Sequence, residues 1–196
     1  MKTFFFFGDS ITLGVNDAPA GGWVGRFASL AAQAGLPVPP STFYNLGVRK
    51  HASRHIRQRW LSEYRARLND ATVPYLLFCF GTVDMAAPQG SVVVPLEESL
   101  ENARAVLSEA RREAPVLMIS APPVKNPEHQ QRIVQLDEAY AKLCRELGVE
   151  YLDLQAELPS AYVEDLADGL HPGARGNLLI AERLLAAPIM REWFRN

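Results

Sequence analysis

Five short apolar segments, separated by longer segments of helical periodicity, constrain the fold of this chain more than any other feature. Each is rich in aromatic or branched residues, as expected for strands that are buried on both faces. The segments are Phe4 to Phe7, Phe43 to Leu46, Tyr75 to Phe80, Val116 to Ser120 and Glu150 to Leu154. Because such strands alternate with helices, they predict a five-stranded parallel sheet covered on both faces, a three-layer α/β/α sandwich.

Between these strands, apolar residues recur every three or four positions, which is the spacing of one face of an α-helix. Five long helices are predicted, with apolar positions at Trp23 to Ala34, Ile56 to Leu68, Leu96 to Ala110, Ile133 to Leu147 and Leu178 to Trp193. We expect the last of them to break at Pro188. The stop before the second strand is marked by Gly35 and the prolines Pro37, Pro39 and Pro40.

Composition and charge exclude several classes of protein. The 196 residues are 48% hydrophobic, which suits one domain over residues 1–196. There are 20 Lys and Arg against 22 Asp and Glu, so the chain lacks the broad cationic surface of nucleic-acid-binding proteins. The phenylalanine run near the amino terminus is too short for a signal peptide or a membrane span, so we expect a cytoplasmic location. Cys79 and Cys144 lie in apolar segments and are predicted to be reduced core residues.

The segment after the first strand places a hydroxyl at a strand-to-helix turn. Ser10 lies in this segment, which runs from Gly8 to Gly14, and ligands of parallel sheets bind beyond the carboxyl ends of the strands. A serine at a helix start has a backbone N–H without a partner in the helix, which can stabilise a developing oxyanion. Ser10 is therefore a candidate nucleophile. The alternative is that Asp9 or Ser10 only caps a short helix.

A candidate base lies near the other end of the chain. Asp168 precedes His171 by three residues, so its carboxylate can reach the imidazole within one loop, hold its tautomer and stabilise the imidazolium. The alternative is that Asp168 and Gly169 form an ordinary turn and that His171 is a polar residue that flanks a helix. Taken alone, these residues indicate the alternative about as strongly as a catalytic pair. Together with Ser10, the pair favours a Ser-His-Asp triad.

These blocks resemble those of the GDSL, or SGNH, hydrolase family over nearly the whole chain. The matching blocks are Gly8-Asp9-Ser10, Asn45-Leu46-Gly47-Val48 after the second strand, and Asp168-Gly169-Leu170-His171-Pro172. The resemblance implies a flavodoxin-like sandwich and a serine hydrolase that acts on a small-molecule ester without a metal or other cofactor. It makes Ser10 the nucleophile, His171 the general base and then acid, and Asp168 its orienting partner. The oxyanion donors that it implies are the backbone N–H groups of Ser10 and Gly47.

One block departs from the family. Where the family carries Gly-x-Asn-Asp, this chain has Gly81-Thr82-Val83-Asp84. The family's asparagine donates a side-chain N–H to the tetrahedral intermediate, whereas Val83 has no donor. Arg49 and His51, which follow Gly47 closely, are candidates to fill this gap. Asp84 is expected to fasten neighbouring loops by hydrogen bonds rather than to react.

The leading hypothesis is a serine esterase that forms an acyl-enzyme on Ser10 and has a weakened or rebuilt oxyanion hole. Loss of one oxyanion donor typically lowers turnover ~100- to 1,000-fold, which weakens an enzyme without abolishing it. The loops after the strands mix small, apolar and proline residues, which favours short acyl groups over a long fatty chain. The alternative is a degenerate family member that binds an acylated or carbohydrate ligand without turnover.

Two further patterns are weaker. His51 and His55 have the i, i+4 spacing that can place two imidazoles around a metal ion on a helix, but no third ligand accompanies them. The basic residues around them are Arg49, Lys50, Arg54, Arg57 and Arg59. This cluster favours a solvated helix face, and attraction of an anionic substrate is the alternative. A phosphate-binding loop is a further interpretation of Gly8 to Gly14. The segment has neither the Gly-x-Gly-x-x-Gly pattern nor the Walker pattern, so this interpretation ranks last.

Overall fold

The computed structural model describes residues 1–36, 38 and 40–195 and has a five-stranded parallel sheet at its centre. The strands are β1 (Lys2–Gly8), β2 (Thr42–Gly47), β3 (Val73–Cys79), β4 (Val116–Ile119) and β5 (Glu150–Leu152). They are hydrogen-bonded in the order β2-β1-β3-β4-β5, and every pair is parallel. This is the flavodoxin-like order, in which ligands bind between the loops after β1 and β3. The predicted sandwich and its five strands are confirmed.

Helices connect the strands and cover both faces of the sheet. In the described part of the chain they are α1 (Ser10–Leu13), α2 (Gly22–Gln33), α3 (Ser53–Arg65), α4 (Leu96–Glu113), α5 (Pro127–Leu147), α6 (Leu154–Glu157), α7 (Ser160–Glu164), α8 (Ala174–Ala186) and α9 (Pro188–Arg195). The five predicted long helices are present, and the break at Pro188 separates α8 from α9. Pro37 and Pro39 of the predicted stop lie outside the described residues. None of the described helices is long and apolar enough to cross a membrane.

The phenylalanines of β1 build both halves of the core. Successive side chains of a strand point to opposite faces of the sheet. Phe5 and Phe7 therefore face the layer of α3, α4 and α5, while Phe4 and Phe6 face the layer of α2, α8 and α9. All four side chains are fully buried, and burial of each stabilises the fold by roughly 1.5–3 kcal/mol. The strand that leads into the Ser10 turn is thus held from both sides.

Arg59 ties α3 to the ends of two strands. Its guanidinium donates hydrogen bonds to the carbonyl oxygens of Gly8 at 3.0 Å and Leu46 at 2.8 Å. It lies 5.9 Å from the centroid of the Phe7 ring and pairs with Glu63 at 3.0 Å. Gly8 is the last residue of β1 and Leu46 the last but one of β2. Arg59 therefore fixes the carboxyl ends of the two strands, where the loops of the candidate site start.

Candidate active site

Ser10 is the first residue of α1 and follows directly on β1. The Asp9 side chain caps this helix, because its Oδ1 accepts a hydrogen bond from the Ile11 N–H at 2.9 Å. Gly8 permits the tight turn, since a Cβ at that position would lie 2.4 Å from the carbonyl oxygen of Cys79. As the residue that opens the helix, Ser10 has an N–H without a partner within α1.

Ser10, His171 and Asp168 form a continuous chain of hydrogen bonds. The distance from Ser10 Oγ to His171 Nε2 is 2.9 Å, and that from His171 Nδ1 to Asp168 Oδ2 is 2.8 Å. The structure therefore brings together three predicted residues from opposite ends of the chain. With Asp168 ionised, Nδ1 carries the ring proton and Nε2 presents its lone pair to the serine hydroxyl.

The loop around Asp168 keeps that carboxylate ionised. Partial desolvation raises the pKa of Asp168, but hydrogen bonds from the His171 N–H, the His171 imidazole and the Leu170 N–H outweigh it. Together they hold the pKa well below its usual range. The backbone donors are close, at 2.8 Å for His171 and 3.0 Å for Leu170. A charged partner for the imidazole is thus built into one short turn.

Asn16 joins this turn to the segment after α1, and the sequence reasoning missed it. Its Nδ2 lies 3.4 Å from both Asp168 Oδ2 and the carbonyl oxygen of His171. Its φ is 73°, in the left-handed region that asparagine tolerates better than most residues. That tolerance is the only signal in the sequence, and it does not indicate what the side chain contacts.

Gly47 lies beside the site, but its N–H is already engaged. It donates to Asn45 Oδ1 at 3.0 Å, while Asn45 Nδ2 donates to the carbonyl oxygen of Thr12 at 2.9 Å. A Cβ on Gly47 would lie 2.2 Å from the Leu13 nitrogen, so the glycine allows β2 to approach α1 closely. Gly47 does not line the cavity at Ser10. The N–H that was predicted to bind an oxyanion is therefore occupied in this conformation.

An open cavity of about 450 Å³ borders Ser10 and His171. Its apolar lining comes from Val83, Ala86, Pro88, Val93 and Leu170. The valine of the departing block therefore lies in the cavity, where it offers methyl groups and no hydrogen-bond donor. The volume lies within the range of small-molecule sites.

His129 of α5 also lines the cavity and was not predicted. Its Nε2 lies 2.8 Å from the carbonyl oxygen of Thr82, so Nε2 carries the proton and donates it. Desolvation lowers the pKa of His129, and the ring is neutral at neutral pH. Arg132, one turn later, donates to the carbonyl oxygen of Met85 at 2.8 Å. The start of α5 thus fixes the loop that carries Val83, through contacts that only the folded sheet creates.

Asp84 is buried and links three helices. Its carboxylate accepts hydrogen bonds from the Ser53 N–H of α3 at 2.8 Å and from Ser99 Oγ of α4 at 2.5 Å. Ser99 Oγ is in turn 2.7 Å from the hydroxyl of Tyr140 in α5. Asp84 therefore fastens the elements around the cavity, as expected from the sequence, and it does not line the cavity itself.

The histidine pair in and before α3 is engaged in local contacts. His51 Nδ1 accepts from Arg59 at 3.1 Å, and His55 Nδ1 accepts from the Ala52 N–H at 3.1 Å. The two rings stack with centroids 4.6 Å apart. No three His, Cys, Asp or Glu side chains group as a metal site among residues 1–36, 38 and 40–195. Of the two candidates for the gap at Val83, Arg49 lines the cavity and His51 does not.

Comparison with known proteins identifies a family and a shared fold. A model of the GDSL-like lipase/acylhydrolase family matches residues 6–179, whereas no curated protein sequence matches the chain significantly. The solved structure of an acetylxylan esterase from Geobacillus stearothermophilus has a TM-score of 0.76 at 20% identity, covering 93% of this chain and 92% of that one. A catalytic mutant of that esterase, with alanine in place of a histidine, has a TM-score of 0.79 at 19% identity and the same coverage.

A third structure, an α/β hydrolase from the metagenome of Lake Arreo in Spain, has a TM-score of 0.75 at 19% identity and covers 94% of this chain and 93% of that one. At these identities the structures show a common fold. The family match spans most of the chain. The chain therefore belongs to the GDSL-like lipase/acylhydrolase family and is a carboxylic ester hydrolase.

Proposed function

We propose that the protein hydrolyses carboxylic esters of short acyl groups through an acyl-enzyme on Ser10. The observation that carries the proposal is the hydrogen-bonded chain from Ser10 Oγ through the His171 ring to Asp168. His171 Nε2 takes the hydroxyl proton as Ser10 Oγ attacks the ester carbonyl, and then gives it to the leaving alcohol. A water molecule, deprotonated by the same nitrogen, releases the acid and restores Ser10.

Asp168 acts through His171 in this scheme. Its low pKa keeps it charged across the neutral range, so it stabilises the imidazolium that forms when Nε2 takes the serine proton. It also keeps the ring proton on Nδ1, which leaves Nε2 free to act as the base. Asn16, at 3.4 Å from Asp168 Oδ2, supports the orientation of the carboxylate.

The oxyanion site in this proposal is weak. Ser10 supplies its own N–H from the start of α1. The Gly47 N–H joins it only when the hydrogen bond to Asn45 opens, and Val83 supplies no donor. We therefore expect measurable but slow turnover, since one missing donor typically lowers turnover ~100- to 1,000-fold.

The preference for short acyl groups rests on the cavity. Its apolar lining includes the small side chains Ala86, Val83 and Val93 within a volume of about 450 Å³. A long fatty chain needs a more extended apolar surface. The acetylxylan esterase of similar fold is named for an acetyl substrate, which is in line with an acyl group of that size here.

The test uses p-nitrophenyl acetate as an activated short ester. We expect turnover by the wild type, no turnover by Ser10→Ala, and unchanged turnover by Ser29→Ala, a control that removes an exposed hydroxyl of α2. A serine-directed phosphonate should add its mass to the peptide that contains Ser10. Turnover that survives Ser10→Ala, or labelling of another serine, would overturn the assignment.

Binding without turnover is the second candidate function. The observations in its favour are Val83 in the cavity and the occupied Gly47 N–H, which together leave few donors for an oxyanion. On this hypothesis, neither a burst nor steady turnover of p-nitrophenyl acetate is seen, and Ser10→Ala binds acylated ligands as tightly as the wild type. A burst of p-nitrophenol that depends on Ser10 would exclude it.

A further inference from the structure

The cavity at Ser10 is positively charged, although the whole chain has a formal net charge of -2. Arg49 and Lys50 line it, and none of its lining residues is an aspartate or a glutamate. The nearby carboxylates are engaged elsewhere, Asp84 with Ser53 and Ser99 and Asp168 with His171. An anionic group in this cavity therefore meets two cations and no competing carboxylate.

Arg49 and Lys50 differ from the neighbouring arginines of α3 because their side chains have neither an ion pair nor a hydrogen bond with any residue that the structure describes. The arginines of α3 nearby have partners within the protein. Arg54 pairs with Glu98, Arg57 donates to Asn102 at 3.1 Å, and Arg59 pairs with Glu63 at 3.0 Å. The cations at the cavity are thus available to a ligand, while those behind it serve the fold.

Lys50 also keeps a side chain where the backbone favours glycine. Its φ is 63°, in the left-handed region, which costs a lysine roughly 1 kcal/mol relative to glycine. A lysine at such a position brings a charge to the cavity at some expense in stability. Lys50→Gly consequently removes the charge without disturbing the conformation of the turn.

The strand order places this charge on one side of Ser10. Arg49 and Lys50 follow β2, Ser10 follows β1, and Val83 follows β3. Since β1 lies between β2 and β3, with neighbouring strands about 4.8 Å apart, Ser10 lies between a cationic loop and an apolar loop. An ester cleaved at Ser10 therefore has room to extend one half toward each loop.

We infer that the substrate is an ester with an anionic group, a carboxylate or a phosphate, on the half bound beside Arg49 and Lys50. The apolar half lies against Val83 and its neighbours. This inference rests on the proposed hydrolysis at Ser10 and names the class of substrate for that same site. The two cations attract the anion to the cavity and stabilise it there, which raises kcat/KM for anionic esters over neutral ones of the same shape.

The experiment compares two matched pairs of esters. In the first, 4-acetoxybenzoate and 4-acetoxybenzamide differ in the charge of the alcohol half. In the second, the 4-nitrophenyl monoester of adipic acid and its terminal amide differ in the charge of the acyl half. At low salt we expect kcat/KM for the anionic member of at least one pair to be about 5-fold higher or more. At about 0.5 M salt the ratio of anionic to neutral kcat/KM should fall toward one, because the salt screens exposed charges.

Variants connect the preference to the two cations. Arg49→Glu is expected to invert the ratio of anionic to neutral kcat/KM in the responding pair, and Lys50→Gly to lower it toward one. Arg49→Gln provides the same test without charge reversal if Arg49→Glu does not fold by circular dichroism. Lys142→Ala is the matched control and should keep both activity and ratio. Lys142 lies about 20 Å beyond His129 along α5, at ~1.5 Å per residue.

The outcomes separate this inference from the proposed function. Ser10-dependent cleavage with equal kcat/KM within both pairs at low salt overturns the anionic substrate and leaves the esterase in place. A preference that is unchanged in both Arg49→Gln and Lys50→Gly also overturns it, because the charge then acts from elsewhere. If none of the four esters is cleaved in a Ser10-dependent way, the proposed function fails and the inference fails with it.

Discussion

At the scale of single residues, we expect Val83 to limit the rate of ester hydrolysis. Val83→Asn would place an amide N–H in the cavity beside Ser10, where the wild type has methyl groups. We expect kcat for p-nitrophenyl acetate to rise by about 10-fold or more, with the ~100- to 1,000-fold that one oxyanion donor is worth as the upper limit. Val83→Thr, similar in shape and with a hydroxyl less well placed to reach an oxyanion, serves as the control. An unchanged or lower rate in correctly folded Val83→Asn would contradict this account of position 83.

The residues of the site differ in how far the sequence could predict them. Ser10, Asp168 and His171 were predicted because each lies in a short block with chemically informative neighbours at the end of an element. His129 was missed because it becomes a neighbour of Val83 only when the loops after β3 and β4 meet. Whether the Gly47 N–H is free was also beyond sequence reasoning, because it depends on Asn45 folding its amide back onto the backbone two residues later.

At the scale of elements, the first turn of α1 depends on a buried carboxyl group. Desolvation raises the pKa of Asp9 to about 7, against the hydrogen bond from the Ile11 N–H, which lowers it. Between pH about 4 and 7 the native state therefore holds a proton that the unfolded state has released. The free energy of unfolding falls as the pH rises through this window, by at most about 4 kcal/mol from this group.

Asp9→Asn tests this contribution, because the amide keeps an oxygen for the Ile11 N–H and carries no charge. Between pH about 5 and pH about 8, we expect the free energy of unfolding of Asp9→Asn to rise relative to that of the wild type. The relative rise is of order 1 kcal/mol for each pH unit up to pH about 7. Urea denaturation at both pH values measures it. Asp70→Asn, the same change at an exposed position, is the control. If the free energy of unfolding depends on pH equally in Asp9→Asn and in the wild type, burial does not raise the pKa of Asp9.

The elements themselves were largely predictable where they are long. Four consecutive phenylalanines suffice to predict β1, and the periodicity of α2 to α5 predicts each of those helices. The short helices α1, α6 and α7 have too few residues for a periodic pattern. Leu154 was predicted at the end of a strand from its apolar side chain, but it opens α6, because Asp153 caps that helix through the Ala156 N–H at 2.9 Å.

At the scale of the whole molecule, the strand order creates the site. The sequence predicts that five strands are parallel but not which of them are neighbours. Strand β1 lies inside the sheet, between β2 and β3, so the loops after these three strands meet around Ser10. The loop before α8 completes the site, because its His171 is hydrogen-bonded to Ser10 and its Asp168 to His171.

Because β1 contributes to both halves of the core, we propose that residues 1–196 fold as one domain. Phe7 faces the layer of α3 to α5, whereas Trp23 and Trp193 lie in the opposite layer. In a Trp60→Phe background these two tryptophans report only on that opposite layer. Phe7→Ala should lower the free energy of unfolding by about 3–5 kcal/mol, as expected for truncation of a fully buried phenylalanine.

If the two halves unfold together, the tryptophans of the opposite layer must report the whole loss of unfolding free energy that Phe7→Ala causes. Tryptophan fluorescence and far-ultraviolet circular dichroism of Trp60→Phe/Phe7→Ala should then give the same urea midpoint, shifted equally from that of Trp60→Phe alone. Separate transitions, with the fluorescence midpoint unmoved by Phe7→Ala, would mean that the two layers unfold independently. In that case β1 would not couple them, and the Ser10 turn at its end would be held by one layer only.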